Sequence, residues 1–152
     1  MFFTPGLSYA IQALVFLPED GGIVRVRELA EKAKVPQAFL AKLMQRLARA
    51  GLVEGHRGPT GGYRLGKSSR EITIRDLAIV LEEDLGLPQC VLTHKACGEE
   101  PCVMHHVWGT IRPQFQDRLL NLSIHDLKNH EEPASTIVPL VPPMAFVGNG
   151  VS

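Results

Sequence analysis

Between Leu7 and Phe16 the apolar residues Leu7, Ala10, Ile11, Leu14, Val15 and Phe16 recur at helical spacing, after a Thr4 that can cap and a Pro5 suited to a first helical position. The spacing predicts a first helix running to about Leu17 and closed by the turn "EDGG". The next stretch, "IVRVRELAEKAKV", passes from a short β-branched segment into a short second helix with Val26, Leu29, Ala30 and Ala33 facing inward. A third helix follows in "VPQAFLAKLMQRLARAGLVEG": Pro36 stands near its start, Phe39, Leu40, Leu43, Met44 and Leu47 form its apolar face, and Gly51 stops it. The opposite face carries Gln37, Ala38, Ala41, Lys42, Gln45, Arg46 and Arg49.

The pattern then changes period. "LVEGHRGPTGGYRLGK" reads as strand, turn, strand, with Leu52 and Val53 leading in, Gly58, Pro59, Thr60, Gly61 and Gly62 at the tip, and Tyr63 to Leu65 leading out. Thr73 can cap a fourth helix whose inner face is Ile74, Leu77, Ala78 and Leu81, expected to pack on what precedes it. Further on, Val103, Val107, Trp108, Ile111, Phe115, Leu119 and Leu122 fall mostly at four-residue steps, predicting a long helix with an uncovered stripe. Pro113 predicts either a kink near Gly109 or a helix that begins only at the proline. Ser123 caps a last short helix over Ile124 to Lys128, and the proline-rich stretch after it is expected to be extended or disordered.

Two helices joined by a tight turn and followed by a hairpin define a mainly α fold with a small β-hairpin, a winged helix-turn-helix. The domain reading is a winged module over residues 1–67, a connecting helix, cysteine loop and long C-terminal dimerisation helix over 68–129, and a tail over 130–152. The apolar stripe of the long helix buries against a twin in a second subunit or, failing that, against the winged module itself.

Charge sharpens this picture. The whole chain has no net charge, yet residues 24 to 70 carry eleven Lys or Arg against three acids, a local +8. That is the footprint of a nucleic-acid-binding face, although a solvated surface would carry the same charge. The residues chosen for DNA contact are Gln37, Ala38, Lys42 and Arg46 on the third helix, with Arg57, Thr60, Gly61 and Arg64 in the wing. Arg57 and Arg64 flank a glycine tip where backbone approaches phosphates closely and an arginine can enter the minor groove. No nucleophile–base pair and no phosphate-cradling glycine loop appears, so an enzyme is not expected. The N-terminal apolar run lacks a basic flank and is too short to cross a bilayer, and the expected compartment is the cytoplasm.

All three cysteines and three of the six histidines crowd into "CVLTHKACGEEPCVMHH". The spacing is Cys90-x6-Cys97-x4-Cys102-x2-His105. Thiolates suit zinc and iron–sulfur clusters, and imidazole suits both, so three cysteines and His105 supply four ligands. Structural zinc sites usually pair more closely spaced cysteines, and the looser loop fits a cluster somewhat better. A thiol switch between Cys97 and Cys102, or thiols without metal, remains a further reading.

Taken together, "TPGLSYAIQAL", "LAEKAKVPQAFLAKLMQRLARAGLV", "RGPTGGYRL" and the cysteine loop ending "CVMHHVW" make the chain, to about His130, resemble the Rrf-type family of bacterial winged helix-turn-helix regulators. The resemblance implies dimerisation through the long helix, promoter binding, and an iron–sulfur cluster on Cys90, Cys97 and Cys102. In IscR-like members a histidine three residues after the third cysteine completes a two-iron cluster, and His105 holds that place. In NsrR-like members an acidic residue near the other subunit's N-terminus completes a four-iron cluster, and the matching position here is Ser8. The first cysteine gap is longer and the second shorter than in the IscR pattern. The expected function is therefore a homodimeric repressor of near-palindromic promoter DNA that senses redox, nitric oxide or iron–sulfur status through a 2Fe-2S cluster, with 4Fe-4S as the second form. The alternative is a regulator of the same fold with zinc or free thiols, answering to a metabolite or partner protein.

Overall fold

The computed structural model describes residues 3–84, 87–90 and 102–130. Among the described residues the elements follow in the order α1 (Pro5–Val15), α2 (Val26–Ala33), α3 (Gln37–Arg49), β1 (Val53–His56), β2 (Gly62–Leu65), α4 (Ile74–Leu81), α5 (Val103–Leu120) and α6 (Ile124–Asn129), with a 3-10 turn, Ser69–Glu71, before α4. Helix α1 is the hub, since α2, α3, α4 and α6 all pack on it. Leu7, Ala10, Ala13 and Leu14 of α1 are fully buried against Leu29 of α2, Leu40, Met44 and Leu47 of α3, Leu77 of α4 and Ile124 of α6. Each such leucine withdraws enough apolar surface from water to favour folding by about 2 kcal/mol.

Local chemistry sets the helix ends. The Thr4 hydroxyl accepts from the Leu7 amide at 3.3 Å, with Pro5 at the first helical position. Helix α2 ends at Lys34 in the left-handed region, φ 55°, and the short turn through Val35 and Pro36 launches α3. Gly51, φ 76°, turns the chain out of α3 into the hairpin. Thr73 with Asp76 and Ser123 with Asp126 each form a complete capping box, at the starts of α4 and α6. The two caps lie side by side in an antiparallel bridge, and backbone bonds from Ile74 to Leu122 (2.9 Å) and from Ile124 to Ile72 (2.8 Å) join them. The end of α5 is thereby docked on the winged module, and Arg75 adds an ion pair to Asp117 at 3.0 Å.

Several expectations are corrected. Helix α1 stops at Val15, and Phe16 at its end is 43% exposed rather than inward. Phe39 is equally exposed, covered only on one side by an edge-on contact with Tyr9 at 5.8 Å between ring centroids. The β-branched run before α2 does not make a strand; Val24 alone bridges Tyr63. Helix α5 runs unbroken through Pro113, so it does not begin there. Only Leu120 of α5 is buried, and Val103, Val107, Ile111 and Phe115 along one stripe are 41% exposed or more. The expected tail, from residue 131 onward, lies outside the described residues. Among the described residues no helix is long and apolar enough to cross a membrane.

Helix α6 also clasps α1. Lys128, its side chain only 14% exposed, donates to the Leu17 carbonyl and pairs with Glu19 at 3.2 Å. Burial alone would raise the Glu19 carboxyl, but the nearby polar groups of Ser69 and the hydrogen-bonded, charged Lys128 outweigh it and hold it below its ordinary 4.5. Burial acts likewise on Asp126, and the Ser123 hydroxyl and amide, with His125 and Arg70, hold it below 3.8. A depressed carboxylate stabilises the fold above its unfolded value, and that contribution disappears as pH falls through the folded one. Two outcomes are expected. Lys128→Met lowers unfolding stability at neutral pH by about 1.5 to 3 kcal/mol in urea titration, as for loss of a charge-assisted bond to a buried carbonyl. Between about pH 5 and pH 3 the wild-type urea midpoint declines, and Asp126→Asn declines less steeply over the same range because it starts without the capping carboxylate.

Candidate nucleic-acid interface

Because α3 buries Leu40, Leu43, Met44 and Leu47, its polar positions are forced outward: Gln37, Ala38, Lys42, Gln45 and Arg49 are all exposed. The hairpin after it pairs Val53 with Leu65, Glu54 with Arg64, Gly55 with Tyr63 and His56 with Gly62. Its position is fixed by Val24 and Tyr63, which exchange backbone bonds of 2.9 and 2.8 Å. Gly62 is required at this junction, since a Cβ there would lie 2.3 Å from the Val24 carbonyl oxygen. At the tip, Gly58 has φ 109°, and the Arg25 guanidinium donates to the Pro59 carbonyl at 3.1 Å, clipping the wing to the start of α2.

Between α3 and the wing lies an open cleft lined by the arginines 25, 27, 49 and 57, by Gln37 and Gln45, and by His56 and Tyr63. Among the described residues no acid lines it, although Glu28, Glu31 and Glu54 belong to the same elements. A strip of positive charge and amides beside a helix of groove-fitting width is chemically suited to a phosphate-flanked groove.

The basic side chains divide by what already holds them. Arg46 donates to the Val80 carbonyl at 3.1 Å and pairs with Glu82 at 3.3 Å, so it ties α3 to the end of α4 and lies off the exposed face. Arg64 faces Glu54 across the hairpin and is bound by both its Nε and a terminal nitrogen, at 2.7 and 2.6 Å. Arg27 pairs with Glu31 at 3.0 Å. Among the described residues Lys42, Arg49 and Arg57 have no such partner. Thr60 is exposed at the wing tip and Gly61 half-buried beside it. Of the eight residues that the sequence singles out for DNA contact, Gln37, Arg57 and Gly61 line the cleft, whereas Ala38, Lys42, Arg46, Thr60 and Arg64 do not. Arg25, Arg27, Gln45 and Arg49 line it as well without having been chosen. Helical period marks Gln45 and Arg49 as outward; only the long-range Val24–Tyr63 pairing brings in Arg25 and Arg27.

Of the cysteine segment, Cys90 and Cys102 are described and half-buried; Cys97 lies outside the described residues. Cys102 is the N-cap of α5 and His105 sits in its first turn. The Trp108 indole donates to the Pro88 carbonyl at 2.7 Å, tying the chain just before Cys90 to the second turn of α5. Among the described residues no three of His, Cys, Asp or Glu converge as a metal-binding group. The donors themselves, thiols on both arms and an imidazole on the helix, are of the type that binds iron–sulfur clusters or zinc.

Comparison with known proteins places these features in context. The Rrf2 family model, described as an iron-dependent transcriptional regulator, matches residues 3–130. An HTH-type transcriptional regulator of Aquifex aeolicus is 36% identical over 136 residues, 87% of this chain and 94% of that protein. The HTH-type transcriptional regulator IscR of Pectobacterium carotovorum is 31% identical over 126 residues, 82% of this chain and 77% of its own length. Among solved structures, CymR of B. subtilis superposes with a TM-score of 0.64 at 24% identity, covering 85% of this chain and 97% of that one. IscR of T. potens gives 0.59 at 26% identity, covering 86% and 88%.

The wing geometry yields a direct test. Gly62→Ala must push β2 away from Val24, and overpacking of this kind costs about 1 to 3 kcal/mol. Thermal unfolding should show that loss, and backbone amide exchange at Val24 and Tyr63 should accelerate while that in α3 does not.

Proposed function

The chain belongs to the Rrf2 family of helix-turn-helix transcriptional regulators, and from that premise we propose that it is a cytoplasmic homodimeric repressor that binds near-palindromic promoter DNA and answers to an iron–sulfur cluster. The observation that carries the reading is the cleft between α3 and the wing, lined by no acidic residue among those described, with Arg49 and Arg57 along it and Lys42 on the exposed face of α3, none of the three having a partner among the described residues. In this reading Gln37 and Ala38 meet base edges in the major groove, Lys42 meets phosphate beside it, Arg57 enters the adjacent minor groove, and Thr60 and Gly61 approach phosphate through the tip backbone. Arg46 and Arg64 serve by holding α3 and the hairpin in place, through α4 and Glu54.

Cys90, Cys97, Cys102 and His105 are the residues that would hold the cluster, in its two-iron form ahead of the four-iron form. When bound, such a group supplies a covalent tie between loop and helix and a charge that changes with oxidation or nitrosylation. The chain's own part is mechanical. Cys102 and His105 stand at the start of α5, whose far end is docked on α4 through Arg75 and Asp117 and through the paired capping boxes. Holding or releasing the first turn of α5 changes how its exposed stripe meets a second subunit, and so the separation of the two α3 helices. The DNA affinity follows from the difference between the two states.

Three measurements check this reading. On a duplex selected from random sequence, Arg57→Ala lowers affinity about tenfold, and Lys42→Ala weakens all duplexes alike while flattening the salt dependence by about one unit. Val107→Asp with Ile111→Asp turns a dimer into a monomer in sedimentation without unfolding it. Anaerobically purified protein is brown, with visible absorption that disappears in Cys97→Ala; a colourless protein containing stoichiometric zinc would instead support the zinc form of the same regulator.

A further inference from the structure

The amides and methyl groups of α3 carry information that its charges do not. Gln37, Ala38 and Gln45 are exposed, Ala41 is half-buried between them, and no acidic residue occurs anywhere from Gln37 to Arg49. Among the described residues neither glutamine amide is engaged within the chain, so both are available to a ligand. The two line the same cleft as Arg57. They stand about 12 Å apart along the helix, from a rise of 1.5 Å per residue, which spans three to four base pairs at about 3.4 Å each.

In the major groove each base edge has its own chemistry. A glutamine amide donates to adenine N7 and accepts from adenine N6, an alanine methyl packs on the thymine C5-methyl, and cytosine N4 calls for a carboxylate acceptor that α3 lacks. We infer that α3 reads A·T base pairs, with Gln37 and Gln45 bonding adenines and Ala38 and Ala41 contacting thymine methyls, over a run of three to four base pairs in each half-site. The inference rests on the DNA-binding reading above and narrows it to a class of operator. Lys42 and Arg49 lie further round the helix, where they meet phosphate.

Selection of the full-length protein from random duplexes, in anaerobic and in chelator-treated form, should enrich half-sites with an A·T-rich core. In anisotropy titrations, 7-deazaadenine at the core adenines removes the N7 acceptor and should weaken wild type about five- to a hundredfold, while Gln37→Ala or Gln45→Ala, already weakened, should be insensitive at the matching base. Uracil in place of a core thymine should weaken binding about fourfold, as for loss of one buried methyl group. Gln45→Glu should shift the selected base from adenine toward cytosine. Circular dichroism checks that each variant keeps its helices, which these exposed positions do not hold together. A selected core of G·C pairs, wild-type affinity unchanged by 7-deazaadenine, or equal losses in wild type and the glutamine variants would overturn the inference while leaving sequence-specific binding intact. Failure to enrich any duplex over random sequence in both preparations would overturn it together with the DNA-binding reading.

Discussion

Val24 and Tyr63 exchange two backbone hydrogen bonds across a gap closed by Gly62, and the placing of the wing against the start of α2 follows from that exchange. Each bond is worth only about 1 kcal/mol net, so its role is geometric more than energetic. It sets the hairpin against the start of α2, allows Arg25 to reach the Pro59 carbonyl, and leaves a cleft of fixed shape beside α3. The buried Leu52 and Val53 anchor the other side of the hairpin, where β1 packs on α3.

Much of this was legible in the sequence, because helical period and capping are local. The inner face of α3, the capping roles of Thr73 and Ser123, the hairpin and the exposed stripe of α5 all follow from spacing within one turn or a few. What could not be read is which side chain spends its charge inside the protein. Arg46 and Arg49 lie one turn apart on the same helix, yet one is bound to Val80 of α4 and to Glu82 at its cap, and the other has no partner among the described residues. Likewise Arg64 and Arg57 flank one turn, and only the strand register, which sets Glu54 opposite Arg64, separates them. Phe16 and Phe39 fit an apolar stripe but sit at its margin, where period cannot tell edge from centre.

The long helix α5 is held unequally. Its C-terminal end is locked by backbone bonds between paired capping boxes and by the Arg75 ion pair, while its first turns meet the rest of the described chain through the Trp108–Pro88 bond. The first turn of α5 carries Cys102 at its cap and His105 within it, at the end opposite to the paired capping boxes.

The exposed row of α3 contributes almost nothing to the core, and its residues are not bound to their neighbours. The protein can therefore drift at Gln37, Ala38, Lys42 and Gln45 without refolding, and a duplicated copy needs only a few codon changes to present a different outer face on the same core.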